Sequence, residues 1–411
     1  MNDKKKYVVI SIFFMIGLLL GISISKNNDK VLENTYEEKN TIRKNENTLS
    51  MMIETKVLSG DYEMTTRDSW PTEGYIFNST LSKCENGGEL SWDDENKKIL
   101  MSGNVSDKCY IYFDIIPTIA DVCSNGDILT NCIKNFGNKG HKISNIYIHN
   151  SSLTMGAEDN SYRYAGSSEV VDNFVCFGST SSPCPTDNLY RIIGVINDKV
   201  KLIKYDYANT NLLGTNGDYK SSTTPDTNYK GGKTSIDLFA RAYYDDGDWI
   251  NNWSEVSLNT INLNQNYLSN IGTEWSSKIS SNIWNLGSGN IDYGITLYIK
   301  SAYKDELNGD SYGPSKIGII SASDYGYARL PFDWQCYDCS QYASSNNWIY
   351  MGVDESILNN SANNGPGYVI KIDGFFYRKV EPSAVRPVFY LETSITYVSG
   401  SGIQSDPIII S

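Results

Sequence analysis

An uncharged, mostly apolar segment near the N-terminus constrains this chain more than any other feature of its sequence. The segment covers residues 7–25 and directly follows Lys4, Lys5 and Lys6. At about 1.5 Å of rise per residue, a helix of this length spans the ~30 Å hydrocarbon core of a bilayer. Lysines before such a helix favour a cytoplasmic N-terminus. We therefore predict a single-pass protein of the cell membrane, with everything after residue 26 outside the cytoplasm.

The same segment has a second interpretation as a cleaved signal peptide. Its basic start and the small residues Ser23 and Ser25 suit a signal-peptidase site, and cleavage would give a secreted protein. The apolar core exceeds the usual ~7–15 residues of a signal peptide, which favours an uncleaved anchor. Residues 1–25 are accordingly predicted to be a membrane anchor or a signal.

The charge balance excludes one class of function. The chain carries 35 Lys and Arg against 48 Asp and Glu, for a formal net charge of −13. Binding to nucleic acid requires clustered cations that contact phosphates. We therefore expect no nucleic-acid partner.

Eight cysteines downstream of the apolar segment fit an oxidising compartment. Sequence alone permits 105 connectivities. Their spacing favours four local bridges, in which each cysteine pairs with its nearest neighbour: Cys84 with Cys109, Cys123 with Cys132, Cys176 with Cys184, and Cys336 with Cys339.

Together with residues 1–25, the sequence predicts four stretches in this chain. Residues 26–56 are polar and highly charged, so we predict a stalk that does not fold alone. Residues 57–117 alternate in short β-patterned runs and predict a small β-sandwich stapled by a disulfide, since so small a core is marginal by itself. Pro117 marks a boundary, and residues 118–411 form the larger domain.

Within the larger domain, residues 189–204 predict a β-hairpin with its turn at Asn197 and Asp198. Residues 254–286 change to helical spacing, with apolar residues three, four or seven apart, and predict two short amphipathic helices. The tail returns to strand patterns, in the order KIGIIS, NNWIYMG, GYVIKI, FFYRKV and VRPVFYL.

These segments, taken in order, resemble a domain of unknown function found in membrane-anchored surface proteins of low-GC Gram-positive bacteria, including gut species. The resemblance covers about residues 161–391. The residues that carry it are Tyr190, Arg191, Ile192, Gly194, Val195, Leu258, Asn259, Leu263, Asn264, Tyr267, Ile317, Gly318, Ile319, Ser323, Asp324, Tyr325, Trp348, Asp373, Gly374, Val385, Arg386, Pro387, Val388, Tyr390 and Leu391.

More remotely, the pattern is similar to the fold shared by C-type lectins and the formylglycine-generating enzyme. The resemblance implies a β-rich α+β domain with two helices packed on twisted sheets. The small β-sandwich and the N-terminal transmembrane helix predicted above would precede it. A fold does not transfer function, so the residues of each candidate site must be weighed separately.

Cys336 and Cys339 have the spacing of a thiol–disulfide exchange motif. No βαβ pattern surrounds them, which favours a structural clip. The cysteines of the formylglycine-generating enzyme are more widely separated, so the chain departs from that family here. An extracytoplasmic oxidoreductase or oxidase centred on this pair is the alternative function.

A carboxylate-rich loop is the candidate ligand or ion site. Asp245, Asp246 and Asp248 lie beside Trp249 and Trp253, and oxygen ligands in such loops can hold calcium. The spacing is not that of a dedicated calcium loop, which favours a solvated turn. Aromatic rings there would stack on sugars if exposed, or pack in the core if buried. A second run, Asp305, Glu306 and Asp310, receives the same interpretation.

The chain has two histidines, His141 and His149, and both fall outside the apolar hairpins, so we expect surface or turn positions. Arg191 and Arg386 lie within apolar strand patterns, where a guanidinium needs carboxylate or carbonyl partners. We predict structural roles for these arginines.

Taken together, the sequence predicts a membrane-tethered extracytoplasmic protein without a catalytic centre, which binds a glycan or a protein. A purely structural envelope protein fits the same features.

Overall fold

The computed structural model describes residues 49–411 except 72, 104–106, 242, 246–247, 251, 288–298, 336–345, 360–367, 371–375 and 379–380. The predicted anchor, most of the predicted stalk and the Cys336–Cys339 pair lie outside the described residues. Within them, no helix is both long and apolar enough to cross a membrane. The chain divides into two compact units, with the division between Pro117 and Thr118.

The first unit is built from short strands. They are β1 (Leu49–Glu54), β2 (Tyr62–Met64), β3 (Tyr75–Phe77), β4 (Lys83–Cys84), β5 (Glu89–Asp93), β6 (Lys98–Ser102) and β7 (Cys109–Ile115). A five-stranded sheet has the order β2-β1-β7-β3, with β4 also paired to β7, and β5 and β6 form a separate hairpin. Alternate residues of β7, namely Ile111 and Phe113, join the hairpin residue Ile99 in one core.

The strand β1 corrects the predicted extent of the stalk. Residues 49–54 were assigned to the polar stretch 26–56, yet β1 lies inside the sheet, antiparallel to β2 and parallel to β7. The apolar run Leu49, Met51 and Ile53 packs into the first unit's core. The β domain therefore includes residues 49–54. The sequence prediction missed them because a short alternating pattern next to a charged stretch is easily attributed to that stretch.

The second unit is a β-rich α+β domain. Its strands are β8 (Ile146–Ile148), β9 (Tyr162–Tyr164), β10 (Phe174–Cys176), β11 (Leu189–Ile196), β12 (Lys199–Lys204), β13 (Tyr219–Thr223), β14 (Ile236–Phe239), β15 (Tyr243–Asp245), β16 (Asp248–Ile250), β17 (Ile279–Ser280), β18 (Asn282–Gly287), β19 (Asp310–Ser315), β20 (Ile317–Gly318), β21 (Glu355–Ser356), β22 (Tyr368–Ile370), β23 (Phe376–Arg378), β24 (Val388–Leu391), β25 (Tyr397–Ser399) and β26 (Ile409–Ile410). Its α-helices are Leu129–Gly137, His141–Ser144, Thr210–Leu213, Leu268–Asn270, Gly272–Ser277, Ile299–Asn308 and Ala322–Tyr327, with a π-helix at Leu258–Tyr267 and 3₁₀ turns at Ile119–Asp121, Thr186–Asn188 and Pro331–Gln335.

An eight-stranded sheet forms the centre of this unit. Its order is β17-β24-β12-β11-β9-β8, with β10 paired to β11 and β20 paired to β24. The helix Leu129–Gly137 places Leu129, Ile133 and Phe136 in the same core as β11 and β12. Their spacing of four and three residues is the apolar stripe of a helix that packs on a core.

The predicted hairpin at residues 189–204 is confirmed. β11 and β12 pair antiparallel, and Asn197 and Asp198 form the turn with φ angles of 51° and 59°. Two consecutive left-handed residues match the twist of the flanking strands, and Asn and Asp tolerate that conformation.

The two helices predicted over residues 254–286 are correct only in their first part. Leu258–Tyr267 and Gly272–Ser277 are helical, but Ile279 and Ile283 lie in β17 and β18. Residues four apart share one face in a strand as well as in a helix, so their spacing could not decide between the two. Pairing of β17 with β24 and of β18 with β19 decides it here.

Four of the five predicted tail segments contain a strand, namely β20, β22, β23 and β24. The segment around Trp348 does not; Asn347 makes one isolated bridge to Arg329. Trp348 is instead a buried anchor whose indole N–H donates to the Tyr164 carbonyl at 2.9 Å. The matching residues Asp373 and Gly374 lie outside the described residues.

Three of the four predicted disulfides are confirmed, Cys84–Cys109, Cys123–Cys132 and Cys176–Cys184. Bridges of this kind stabilise small domains by about 2–4 kcal/mol.

The two arginines within apolar strand patterns have the expected structural partners. Arg386 forms a two-point contact with Glu355 at 2.8 and 2.7 Å. Within the described residues, Arg191 forms no ion pair with a carboxylate; it donates to Asn173, to Ser168 and to the Val171 carbonyl at 2.6–2.7 Å. Both guanidinium groups are buried, so these bonds offset their desolvation.

Candidate binding site

Four adjacent residues form a row across the central sheet. Arg163 of β9 lies opposite Gly194 of β11, Gly194 lies opposite Lys201 of β12, and Lys201 lies opposite Tyr390 of β24. Two cations and a phenol are thus brought together from three segments that are distant in sequence. The row is the base of the candidate site.

Gly194 has a specific reason to be glycine. A Cβ atom there would meet the Tyr162 carbonyl oxygen at 2.1 Å. A β-bulge between Ile192 and Gly194 shifts the register at this point, which sets Gly194 rather than Ile193 opposite Lys201. The row therefore has no side chain between Arg163 and Lys201.

Asp324 neutralises both cations. It lies in the short helix Ala322–Tyr327, where Ser321 caps its backbone N–H. Its carboxylate accepts from Lys201 Nζ at 2.6 Å and from Arg163 Nη1 at 3.4 Å. Burial raises the pKa of Asp324, but the charges of Lys201 and Arg163 outweigh it and hold the pKa below its ordinary value. Asp324 is therefore an anion at neutral pH.

Glu306 is the second carboxyl of the site, and it is buried rather than in the solvated turn that the sequence predicted. It lies in the helix Ile299–Asn308 and accepts from the backbone N–H of Ser323 at 2.9 Å, from the Ser323 hydroxyl and from Asn359 Nδ2 at 3.0 Å. Burial raises the pKa of Glu306, and these hydrogen bonds offset only part of that effect.

Arg163 is held from a second side by Asp159. The Asp159 carboxylate accepts from Arg163 Nη2 at 3.0 Å, from the Ser161 hydroxyl and from the Tyr303 hydroxyl at 2.7 Å. Burial raises the pKa of Asp159, but Arg163 and these donors leave it well below its usual value. Arg163 is thereby fixed between two carboxylates.

These groups line an open cavity of about 80 Å³. On the same measure a single water needs ~10–15 Å³, so several non-hydrogen atoms fit. Trp284 and Tyr390 form an aromatic wall with ring centroids 5.7 Å apart, and Ile283 and Leu307 stand at the rim, 57% and 52% exposed. The cavity lining is Arg163, Ile196, Asn197, Lys201, Ile283, Trp284, Asn285, Tyr303, Glu306, Leu307, Ser321, Ser323, Asp324, Leu358 and Tyr390.

Both carboxyls of the cavity are held by neighbouring side chains. Two carboxyls with pKa values moved in opposite directions are the pattern of an acid–base pair. Here, however, Glu306 is engaged by Ser323 and Asn359, and Asp324 by Lys201 and Arg163. These contacts hold both carboxyls in place as structural parts of the wall.

The described residues that line this cavity include none from the sequence-predicted loop. Asp245, Asp248 and Trp249 belong to the hairpin of β15 and β16, while Asp246 lies outside the described residues. Trp253 is fully buried, with the Arg241 guanidinium 4.7 Å from its ring centroid. The Trp253 ring therefore packs in the core and is not exposed for stacking on a sugar.

Among the described residues, one group of three side chains has the spacing of metal ligands, namely Cys84, Asp107 and Cys109. The two sulfurs are joined in a disulfide, and Asp107 accepts backbone N–H bonds from Asn86 and Gly88. This group is therefore a disulfide beside a hydrogen-bonded carboxylate, and not a metal centre.

The surface position expected for His149 is wrong. Its side chain is buried against Tyr327 and Trp334, and Nδ1 accepts the Ala157 N–H at 3.0 Å. Burial lowers its pKa to about 3. His141 is exposed and stacks on Tyr147, as expected of a surface histidine.

Sequence reasoning missed Arg163, Lys201 and Tyr303 as site residues. Lys201 carries the same signal that identified Arg191 and Arg386, a cation within an apolar strand pattern. Ser323 and Asp324 were singled out only as motif residues, and Glu306 only as one acid of a run. Tyr303 offered no signal of its own.

No family model, no curated protein and no solved structure matches this chain.

Proposed function

We propose that this chain is a membrane-tethered surface protein whose second unit binds a glycan or a protein outside the cytoplasm, without catalysing a reaction. The observation that carries the proposal is the cavity, which combines buried Lys201 and Arg163 with an aromatic wall and an apolar rim. Ligand sites combine apolar walls with fixed polar groups that orient the ligand, and in this cavity polar side chains make up most of the lining.

The proposal also includes an extracytoplasmic location and a lectin-like fold. The three disulfides support an oxidising compartment, and the apolar residues 7–25 supply the attachment. The arrangement that we propose for the second unit is C-type-lectin-like, with helices packed on a twisted sheet. Its β-rich α+β composition supports that assignment.

The test uses the full chain and a panel of immobilised polysaccharides and extracellular proteins. Leu307→Asp places a charge on the rim of the cavity without removing a buried contact. Val170→Asp is the matched control, because Val170 is 53% exposed in the same unit but does not line the cavity.

We expect wild type and Val170→Asp to bind the same member of the panel. Leu307→Asp should bind it about tenfold more weakly, which corresponds to ~1.4 kcal/mol. Equal binding by all three chains would place the site elsewhere. Binding to no member, or conversion of the ligand into products, would overturn the proposal.

A further inference from the structure

Most of the unused hydrogen-bonding capacity of these charged groups in the cavity wall belongs to N–H donors. An ammonium has three N–H donors and a guanidinium has five. Within the described part of the chain, Lys201 Nζ makes one hydrogen bond and Arg163 makes three. Asp324 and Glu306 each already accept three. A ligand that completes this wall must therefore offer acceptor oxygens.

The charges of the wall disfavour an ion. Lys201 and Arg163 contribute two positive charges, which Asp324 and Asp159 match within 2.6–3.4 Å. Glu306 is neutral when protonated and negative when ionised, so it cannot make the wall more positive. A bound anion would lie beside the Asp324 carboxylate, and a bound cation would lie beside Lys201 and Arg163. Placing like charges side by side in this way is costly.

Two aromatic rings of the cavity wall lie beside the remaining donors. Lys201 Nζ lies 5.2 Å from the centroid of the Tyr390 ring and 5.7 Å from that of Trp284, so these rings face the remaining donors. Ile283 and Leu307 extend the apolar surface outward. The nonpolar C–H face of a pyranose ring matches such a wall, while its hydroxyl and ring oxygens match the donors.

We infer that the cavity takes a single uncharged sugar residue, whose oxygens accept hydrogen bonds from Lys201 and Arg163 while its C–H face packs on Tyr390. This inference rests on the proposed function and narrows its ligand class. The cavity is open, with a volume of about 80 Å³, so a ring bound there keeps part of its surface outside the cavity.

The test titrates the full chain calorimetrically with glucose, glucuronate and glucosamine. These three probes share one ring and differ in charge, so the comparison isolates the charge preference of the cavity. Glucose should bind at least about tenfold more tightly than either of the others. Leu307→Asp should weaken glucose binding, and Val170→Asp should leave it unchanged.

Tighter or equal binding of glucuronate or glucosamine would overturn the inference and leave the proposed function standing. The same holds if none of the three binds while the immobilised panel does. If neither the three probes nor any member of the panel binds, both the inference and the proposed function fall.

Discussion

At the scale of single residues, the second unit keeps several ionisable groups away from water in two different ways. Asp324 stays charged because Lys201 and Arg163 lie within 2.6–3.4 Å of it. His149 has no such partner: within the described residues its Nε2 atom makes no hydrogen bond. A buried histidine of this kind stays neutral, which links its protonation to unfolding.

This linkage predicts that stability falls in mild acid. The folded pKa of His149 is about 3, and an unfolded histidine titrates near 6.5. Between these values the unfolded chain binds a proton that the folded chain does not, so the free energy of unfolding decreases as pH falls. From pH 7 to pH 5 the contribution of one such histidine is about 2 kcal/mol.

Denaturant unfolding at pH 7 and pH 5 measures this effect. Every other titrating group is shared, so the difference between wild type and His149→Asn isolates His149. The variant should lose less stability on acidification than wild type. His141→Asn, which changes an exposed histidine, should behave like wild type. An identical pH dependence in wild type and His149→Asn would contradict the prediction.

For single residues, sequence patterns could reveal which charged side chains are buried. A charged residue inside an apolar strand pattern correctly indicated buried, hydrogen-bonded groups at Arg191 and Arg386. Lys201 satisfied the same criterion and belongs to the candidate site. Such a pattern identifies burial, but it carries no information about which carboxylate arrives from elsewhere in the chain.

At the scale of elements, the site depends on strand register. Arg163, Lys201 and Tyr390 come from β9, β12 and β24, and they meet only because β11 places Gly194 between the first two. The hairpin of β11 and β12 was predictable because its turn is local. The pairing of β12 with β24 joins segments almost 190 residues apart, and local patterns do not encode it.

Gly194→Ala tests this dependence on register. The new methyl group would meet the Tyr162 carbonyl oxygen at 2.1 Å, which forces β9 away from β11. Overpacking of this kind costs about 1–3 kcal/mol. We therefore expect a lower free energy of unfolding, together with weaker ligand binding, because Arg163 moves with β9.

Gly232→Ala is the matched control. A Cβ atom at Gly232 meets nothing within 4 Å, so its stability should stay within about 0.5 kcal/mol of wild type. If Gly194→Ala were as stable as wild type and bound ligand equally well, the sheet would adjust at this point. Gly194 would then not fix the position of the row.

At the scale of the whole molecule, the sequence predicted a β-rich α+β protein with local disulfides, and those features follow from patterns that a short window contains. The boundary of the first unit was misplaced because β1 borders a charged stretch. The cavity was not predictable, since β18, the helix Ile299–Asn308 and the helix Ala322–Tyr327 converge on the central sheet only through tertiary packing.

The second unit has two candidate surfaces. One is the cavity beneath β18 and the helix Ile299–Asn308. The other is the hairpin of β15 and β16, which carries Asp245, Asp248 and Trp249 and which the sequence favoured as a ligand or ion loop. The two surfaces belong to different segments of the chain, so a peptide-level measurement distinguishes them.

Hydrogen–deuterium exchange of the full chain, with and without the polysaccharide or protein that it binds, is that measurement. Ligand in the cavity should slow exchange in Asn282–Gly287 and Ile299–Asn308 and leave residues 243–253 unchanged. Protection confined to residues 243–253 would contradict the assignment of the cavity as the binding site.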